Sequence, residues 1–230
     1  MIHSSKQPRY YLLLSLLGWL VLGCVVMALI DASAWPYPAK ALLKITVFLS
    51  VPAVWSHRFP QWPRVSWRLP DRPLRIKLFA LAIVEITGLW IALFLISPWI
   101  DTHLIEGVLR DNFAGQPLLF WGVTLYIVFI NAGLEEWYFR GFAFLRLRHV
   151  LPKRWAMGGS AGLFAAYHLA LMAGLFPLPL YLSLVIGLVG VGVVLCWIDE
   201  VSNSLWPSFI VHASANLAMN LVAMHWLGFL

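Results

Sequence analysis

Leu118-Leu-Phe-Trp-Gly-Val-Thr-Leu-Tyr-Ile-Val-Phe-Ile-Asn131-Ala-Gly-Leu-Glu135-Glu136-Trp-Tyr-Phe-Arg140 is an apolar run that closes on two adjacent carboxylates and an arginine. A charged side chain at the centre of a bilayer costs at least about 2.5 kcal/mol, so it is kept where it is paired or lines a wet cavity. Helical spacing divides the labour. Glu136 and Arg140 are four apart and share one helix face. Glu135 is turned about 100° away from Glu136, so the same arginine does not easily hold both. Glu135 is left to face another part of the chain.

That run is one of several. The chain is 61% hydrophobic and 11% charged, against roughly 45–50% and 25% in soluble domains. A water-soluble globule of 230 residues has too little interior to hide so much apolar surface. The composition therefore predicts an all-α polytopic transmembrane helix bundle forming a single membrane domain over residues 1–230. About seven stretches are long enough to cross hydrocarbon: residues 11–30, 41–55, 78–100, 118–147, 156–176, 180–198 and 205–227. Residues 101–117 read as a polar, net-acidic loop. Ala32-Ser-Ala34 has the look of a signal-peptidase site, but the preceding apolar run is longer than a signal peptide's, so a retained anchor is expected.

Basic residues fix the orientation. Lys6, Arg9, Arg58, Arg64, Arg68, Arg72, Arg75, Lys77, Arg140, Arg146, Arg148, Lys153 and Arg154 fall on one side of this map, leaving Lys40, Lys44 and Arg110 elsewhere. The positive-inside rule makes that side cytoplasmic, with the amino terminus inside and the carboxyl terminus outside. Between residues 57 and 77, Pro60, Pro63, Pro70 and Pro73 forbid a continuous helix. With Trp62 and Trp67 interleaved, this segment reads as a basic strip on an anionic leaflet. Nothing else in the chain supports nucleic-acid binding. Cys24 and Cys196 lie in apolar runs and offer neither a disulfide framework nor a metal-ligand spacing. No metal and no cofactor is expected.

Other polar residues interrupt the later spans. Phe164-Ala-Ala-Tyr-His168 places a histidine in the fifth, and His212-Ala-Ser-Ala-Asn216 places His and Asn on one face of the seventh. At 1.5 Å per residue, His168, His212, Asn216 and Glu135 all lie roughly 10–18 Å from the same membrane side. Three helices can then present a carboxylate, two imidazoles and an amide to one pocket. Singly, each has a plainer explanation, since an intramembrane histidine usually makes an interhelical hydrogen bond. Their matched depth is what sets them apart.

Glu135-Glu136-x-x-x-Arg140, Phe164-x-x-x-His168 and His212-x-x-x-Asn216, in that order, resemble the three signature motifs of the CPBP family, the CAAX proteases and bacteriocin-processing enzymes also called Abi. The resemblance covers residues 118–220 and implies a glutamate-dependent intramembrane endopeptidase. It implies Glu135 as catalytic base, His168 as its partner on the water, and His212 with Asn216 as the oxyanion pair. Glu136 and Arg140 would be a structural ion pair. The substrate would be a membrane-associated peptide or protein, met within the lipid bilayer.

The chemistry stands without the family. A buried carboxylate can be tuned to take a proton from water. Donors aimed at a developing oxyanion are worth about 10²–10³ in rate each. Alternatives are a zinc metalloprotease using the same Glu and His residues, although HExxH is absent, and a non-catalytic membrane immunity or scaffold protein of the same fold. Gly158-Gly-Ser160-Ala-Gly162 fits the serine-hydrolase G-x-S-x-G string, but that motif belongs on a strand-to-helix elbow. Gly158 and Gly162, like Ser183 and Gly187, read better as small-xxx-small helix packing. A transporter would use Glu85 and Glu135 as a proton path, yet Glu85 is expected to pair with a polar group on a neighbouring helix.

Overall fold

A computed structural model describes residues 9–59, 66–172 and 174–229. Lys6, Pro60, Trp62, Pro63 and Arg64, on which parts of the topology reading rest, lie outside these. Among the described residues the fold is all-α, with eight helices and no strand. They are α1 (Arg9–Ala32), α2 (Tyr37–Arg58), α3 (Arg72–Ile96), α4 (Thr102–Phe113), α5 (Pro117–Val150), α6 (Lys153–Met172), α7 (Leu178–Ser202) and α8 (Trp206–Leu227). All but α4 coincide with the expected spans. Five of them (α1, α2, α3, α5 and α7) are long and apolar enough to cross a membrane. Those with the histidines, α6 and α8, fall short because Gly, Ser, His and Asn dilute their hydropathy.

Helix α4 corrects the expectation of a loop. Asp101 caps it, its Oδ1 accepting from the Leu104 amide at 3.0 Å, which satisfies one of the orphan amides of a first turn. Leu109 and Phe113 then pack on a cluster of Phe120, Met224 and Leu227, and Arg110 Nη2 donates to the Trp226 carbonyl at 3.1 Å. The helical spacing of Leu104, Ile105, Val108 and Leu109 was the available signal. At 12 residues the helix is roughly 18 Å long and cannot span.

The chain divides into two compact units, and the division falls inside α5, between Glu136 and Trp137. The first comprises residues 1–65, 137–171 and 185–197. Its core is aromatic. Phe48 meets Tyr138 edge-on at 5.3 Å, Phe139 meets Phe164 at 5.4 Å and Trp55 meets Phe142 at 5.6 Å. Two glycines permit close approach. A Cβ on Gly23 would collide with the Tyr138 hydroxyl, which donates to the Leu20 carbonyl at 3.2 Å. A Cβ on Gly192 would stand 2.8 Å from the Cβ of Ala161, so α6 and α7 cross at that pair. The small-residue contact therefore differs from the one expected, because a Cβ on Gly158, Gly162 or Gly187 would meet no atom within 4 Å.

The second unit comprises residues 66–136, 172–184 and 198–230. Helices α3 and α8 run parallel in it. They are tied at their starts by the Leu205 amide on the Ser66 carbonyl at 3.0 Å. Mid-length, the Ser214 hydroxyl donates to Glu85, the polar partner expected for that carboxylate. Near their ends, the Trp90 and His225 rings lie 6.1 Å apart. Val128, Ala132 and Ala213 form a small-residue seam between α5 and α8, covered by Phe209 and Leu217.

Candidate active site

Helix α5 is not uniformly α-helical. Residues Tyr126–Asn131 and Glu136–Phe144 are π-helical, with α-helical Ala132–Glu135 between them. π-Segments are rare and recur at functional sites. Their i→i+5 bonding alters the side-chain register that a simple i, i+4 count assumes, and here they bracket Glu135, while Glu136 opens the second of them.

Both glutamates are buried, Glu135 at 2% exposure and Glu136 at 0%. Within the second unit, Asn131 Nδ2 donates to Glu135 Oε1 at 2.6 Å. His212, on α8, meets both carboxylates. Its Nδ1 lies 2.7 Å from Glu136 Oε1 and its Nε2 lies 3.5 Å from Glu135 Oε2. The spacing argument had separated the glutamates because one arginine cannot easily hold both. An imidazole can reach both, since its two nitrogens lie on opposite sides of a rigid ring. Glu136, expected as the partner of Arg140, thus also orients a histidine.

Asn216 lies one turn beyond His212 on α8. Its Nδ2 donates to the Ile127 carbonyl at 3.4 Å, inside the first π-segment. Its own carbonyl accepts from Asn220 Nδ2 at 2.8 Å, and Asn220 Oδ1 accepts from Thr124 at 3.2 Å. Thr124 and Asn220 extend the polar seam between α5 and α8 and were not foreseen. The i, i+4 repeat of Asn216 and Asn220 was the signal. Just before α8, buried Asp199 accepts from the Ser208 amide at 3.2 Å and its hydroxyl at 2.6 Å, fixing the helix start.

His168 and Arg140 belong to the first unit. His168 Nδ1 lies 2.8 Å from the Phe164 carbonyl. A carbonyl only accepts, so Nδ1 carries a proton, and in the neutral form of the ring the lone pair is on Nε2. Phe164 and Tyr167 flank that ring at 4.5 and 5.0 Å. The Arg140 guanidinium, 1% exposed, stacks 4.2 Å over the Phe164 ring, a cation–π contact. Ser160 is buried and donates to the Phe139 carbonyl at 2.6 Å, which makes it a helix-packing hydroxyl. Sequence reading also missed Lys44, which pairs with Asp31 at 2.7 Å and donates to the Tyr167 hydroxyl at 3.1 Å.

Among the described residues no group of three or more His, Cys, Asp or Glu side chains converges as a metal-ligand set would. Residues 117–218 match a family model described as type II CAAX prenyl endopeptidase Rce1-like. That stretch contains all three motifs, and it bears out the CPBP resemblance. No curated protein and no solved structure matches the chain.

Proposed function

We propose that this chain, a multi-pass membrane protein whose residues 117–218 match the Rce1-like CAAX endopeptidase model, hydrolyses a peptide bond of a membrane-associated protein or peptide by a glutamate-activated water. The observation that carries the reading is His212 set between the buried carboxylates of Glu135 and Glu136 at 3.5 and 2.7 Å. The shorter contact commits Nδ1–H to Glu136 and leaves Nε2 facing Glu135. At 3.5 Å that gap exceeds a direct hydrogen bond, and both groups can touch one bound atom.

In the proposed reaction Glu135 takes a proton from water as the oxygen adds to the scissile carbonyl. The Asn131 amide, on the other carboxylate oxygen, holds the group in orientation. With the ring protonated at both nitrogens between the two carboxylates, His212 Nε2–H and the Asn216 amide donate to the oxyanion that forms. For His168, the role of partner to the base rests on the CPBP motif resemblance alone. The proton held by Glu135 then passes to the departing amine as the C–N bond breaks. Glu136 acts on His212 as a positioning residue, and Arg140 serves the fold. A buried carboxylate oriented by Asn131 beside preorganised donors is the arrangement this chemistry uses.

Glu135→Gln tests it, because it keeps the volume and removes the base. Cleavage of a membrane-anchored peptide should be abolished while the detergent-extracted protein stays folded and inserted. Near-normal turnover would mean that the carboxylate is not the base. The wild-type protein should keep its activity after exhaustive chelation, as should the Ser160→Ala, Cys24→Ala and Cys196→Ala variants. Loss on chelation with recovery on zinc would establish the metalloprotease alternative instead.

A further inference from the structure

Residues 66–70 lead without helix to the start of α3, and three consecutive carbonyls bind them to the α7–α8 turn. Ser66 O accepts from the Leu205 amide at 3.0 Å, Trp67 O from Trp206 Nε1 at 2.8 Å and Arg68 O from the Ser204 hydroxyl at 2.6 Å. The backbone of the strap is therefore held, while its basic side chain and Leu69 are exposed. Arg68, Arg72, Arg75 and Lys77 are exposed, as are Leu69 and Ile76. Asp71, the one acid among them, spends a carboxylate oxygen capping α3, accepting from Leu74 at 3.0 Å. Four bases with apolar neighbours stand where a helix long and apolar enough to span begins. That is the chemistry that holds anionic headgroups at a membrane surface.

The strap also reaches inward. The Trp67 ring meets Trp206 and Phe209 edge-on, each at 6.0 Å. Phe209 lies three residues before His212 on α8 and packs against the seam of Val128, Ala132 and Ala213. Its ring also covers Gly133, where an added Cβ would stand 3.7 Å away, two residues before Glu135. A continuous line of contacts thus runs within one unit from exposed bases to both helices that carry the glutamate–histidine cluster.

We propose that the strap and the first turns of α3 form a binding site for anionic phospholipid headgroups, and that an occupied site steadies the start of α8 through Trp67 and Phe209. The consequence for turnover rests on the proteolytic reading above; the site itself does not. The full chain is placed in nanodiscs of phosphatidylcholine with or without phosphatidylglycerol, and native mass spectrometry counts the lipid retained. Wild type retains phosphatidylglycerol in preference to phosphatidylcholine. Each base changed to Gln lowers that retention roughly fivefold, and the combined Arg68→Gln, Arg72→Gln, Arg75→Gln, Lys77→Gln variant shows no preference. These positions are exposed, so the variant should fold, which its helical circular dichroism checks. Undiminished retention in a folded combined variant overturns the headgroup site.

The coupling has its own readout. Phosphatidylglycerol should slow amide hydrogen exchange severalfold over the first turns of α8 in wild type and Trp67→Phe, but not in Trp67→Ala, which keeps all four bases. An equal slowing in Trp67→Ala, or none in wild type that retains the lipid, overturns the coupling. Cleavage should rise with phosphatidylglycerol in the same discs. A protein with both lipid responses that cleaves nothing refutes the proteolytic reading and leaves the headgroup site standing.

Discussion

His212 gives its Nδ1 proton to Glu136 at 2.7 Å and turns its other nitrogen to Glu135 at 3.5 Å, so the two carboxylates should fail differently when removed. Glu136→Ala strands a buried imidazole donor, and breaking a buried charged pair costs about 3–5 kcal/mol. It should lower folded yield and thermal stability. Glu136→Gln, which still offers an acceptor oxygen, should recover much of that yield. Glu135→Ala removes the acceptor of the Asn131 amide, a cost of about 1–3 kcal/mol, and should end turnover. Detergent-extracted yield and thermal stability, set beside initial cleavage rate, distinguish the pair. A stable but inactive Glu136→Ala together with an unstable Glu135→Ala would reverse the assignment.

Helices α6 and α7 approach one another through Gly192 and Ala161, and the test of that contact lies in three glycines. Gly192→Ala forces a methyl against the Ala161 Cβ at 2.8 Å, and overpacking of this kind costs about 1–3 kcal/mol. Gly23→Ala should cost a similar amount, because Tyr138 must yield its hydroxyl bond to Leu20. Gly158→Ala meets open space, so it should be neutral or stabilising by about 0.5–1 kcal/mol through helix propensity. Thermal unfolding in detergent reads all three. A damaging Gly158→Ala beside a harmless Gly192→Ala would return the contact to the small-xxx-small string.

For the whole molecule, the crossing count decides the sides of the membrane. Helices α3 and α8 start together, held by the Leu205 amide on Ser66 at 3.0 Å, which is what the third and seventh crossings expected from the sequence would require. Helix α4 is too short to add a crossing, so the termini should lie on opposite sides. By the positive-inside rule the basic residues around Arg72 and those around Lys153 are both expected to be cytoplasmic. Reporters fused after Arg72 or Lys153 should read cytoplasmic, and one at the carboxyl terminus external. A cytoplasmic carboxyl terminus would mean that one crossing has been miscounted.

The sequence by itself determined the crossing helices and the residues that interrupt them. A bilayer demands long, nearly continuous apolar runs, and each intruding Glu, His or Asn is conspicuous against that background. For the same reason Glu135, Glu136, His168, His212 and Asn216 were legible before any coordinates. Which of them meet was decided by tertiary structure alone. Lipid is as apolar as a helix interface, so no amphipathic stripe records which face of a helix turns inward. The π-segments of α5 shift the register on which an i, i+4 count depends. Hence Glu136 was legible as a neighbour of Arg140 but not as the acceptor of His212 Nδ1, which needs the rotation of α8 against α5. The Gly192–Ala161 crossing was hidden for the same reason. Helix α4 escaped because its stability comes from packing Leu109 and Phe113 on Phe120, Met224 and Leu227, contacts that exist only once the chain has folded.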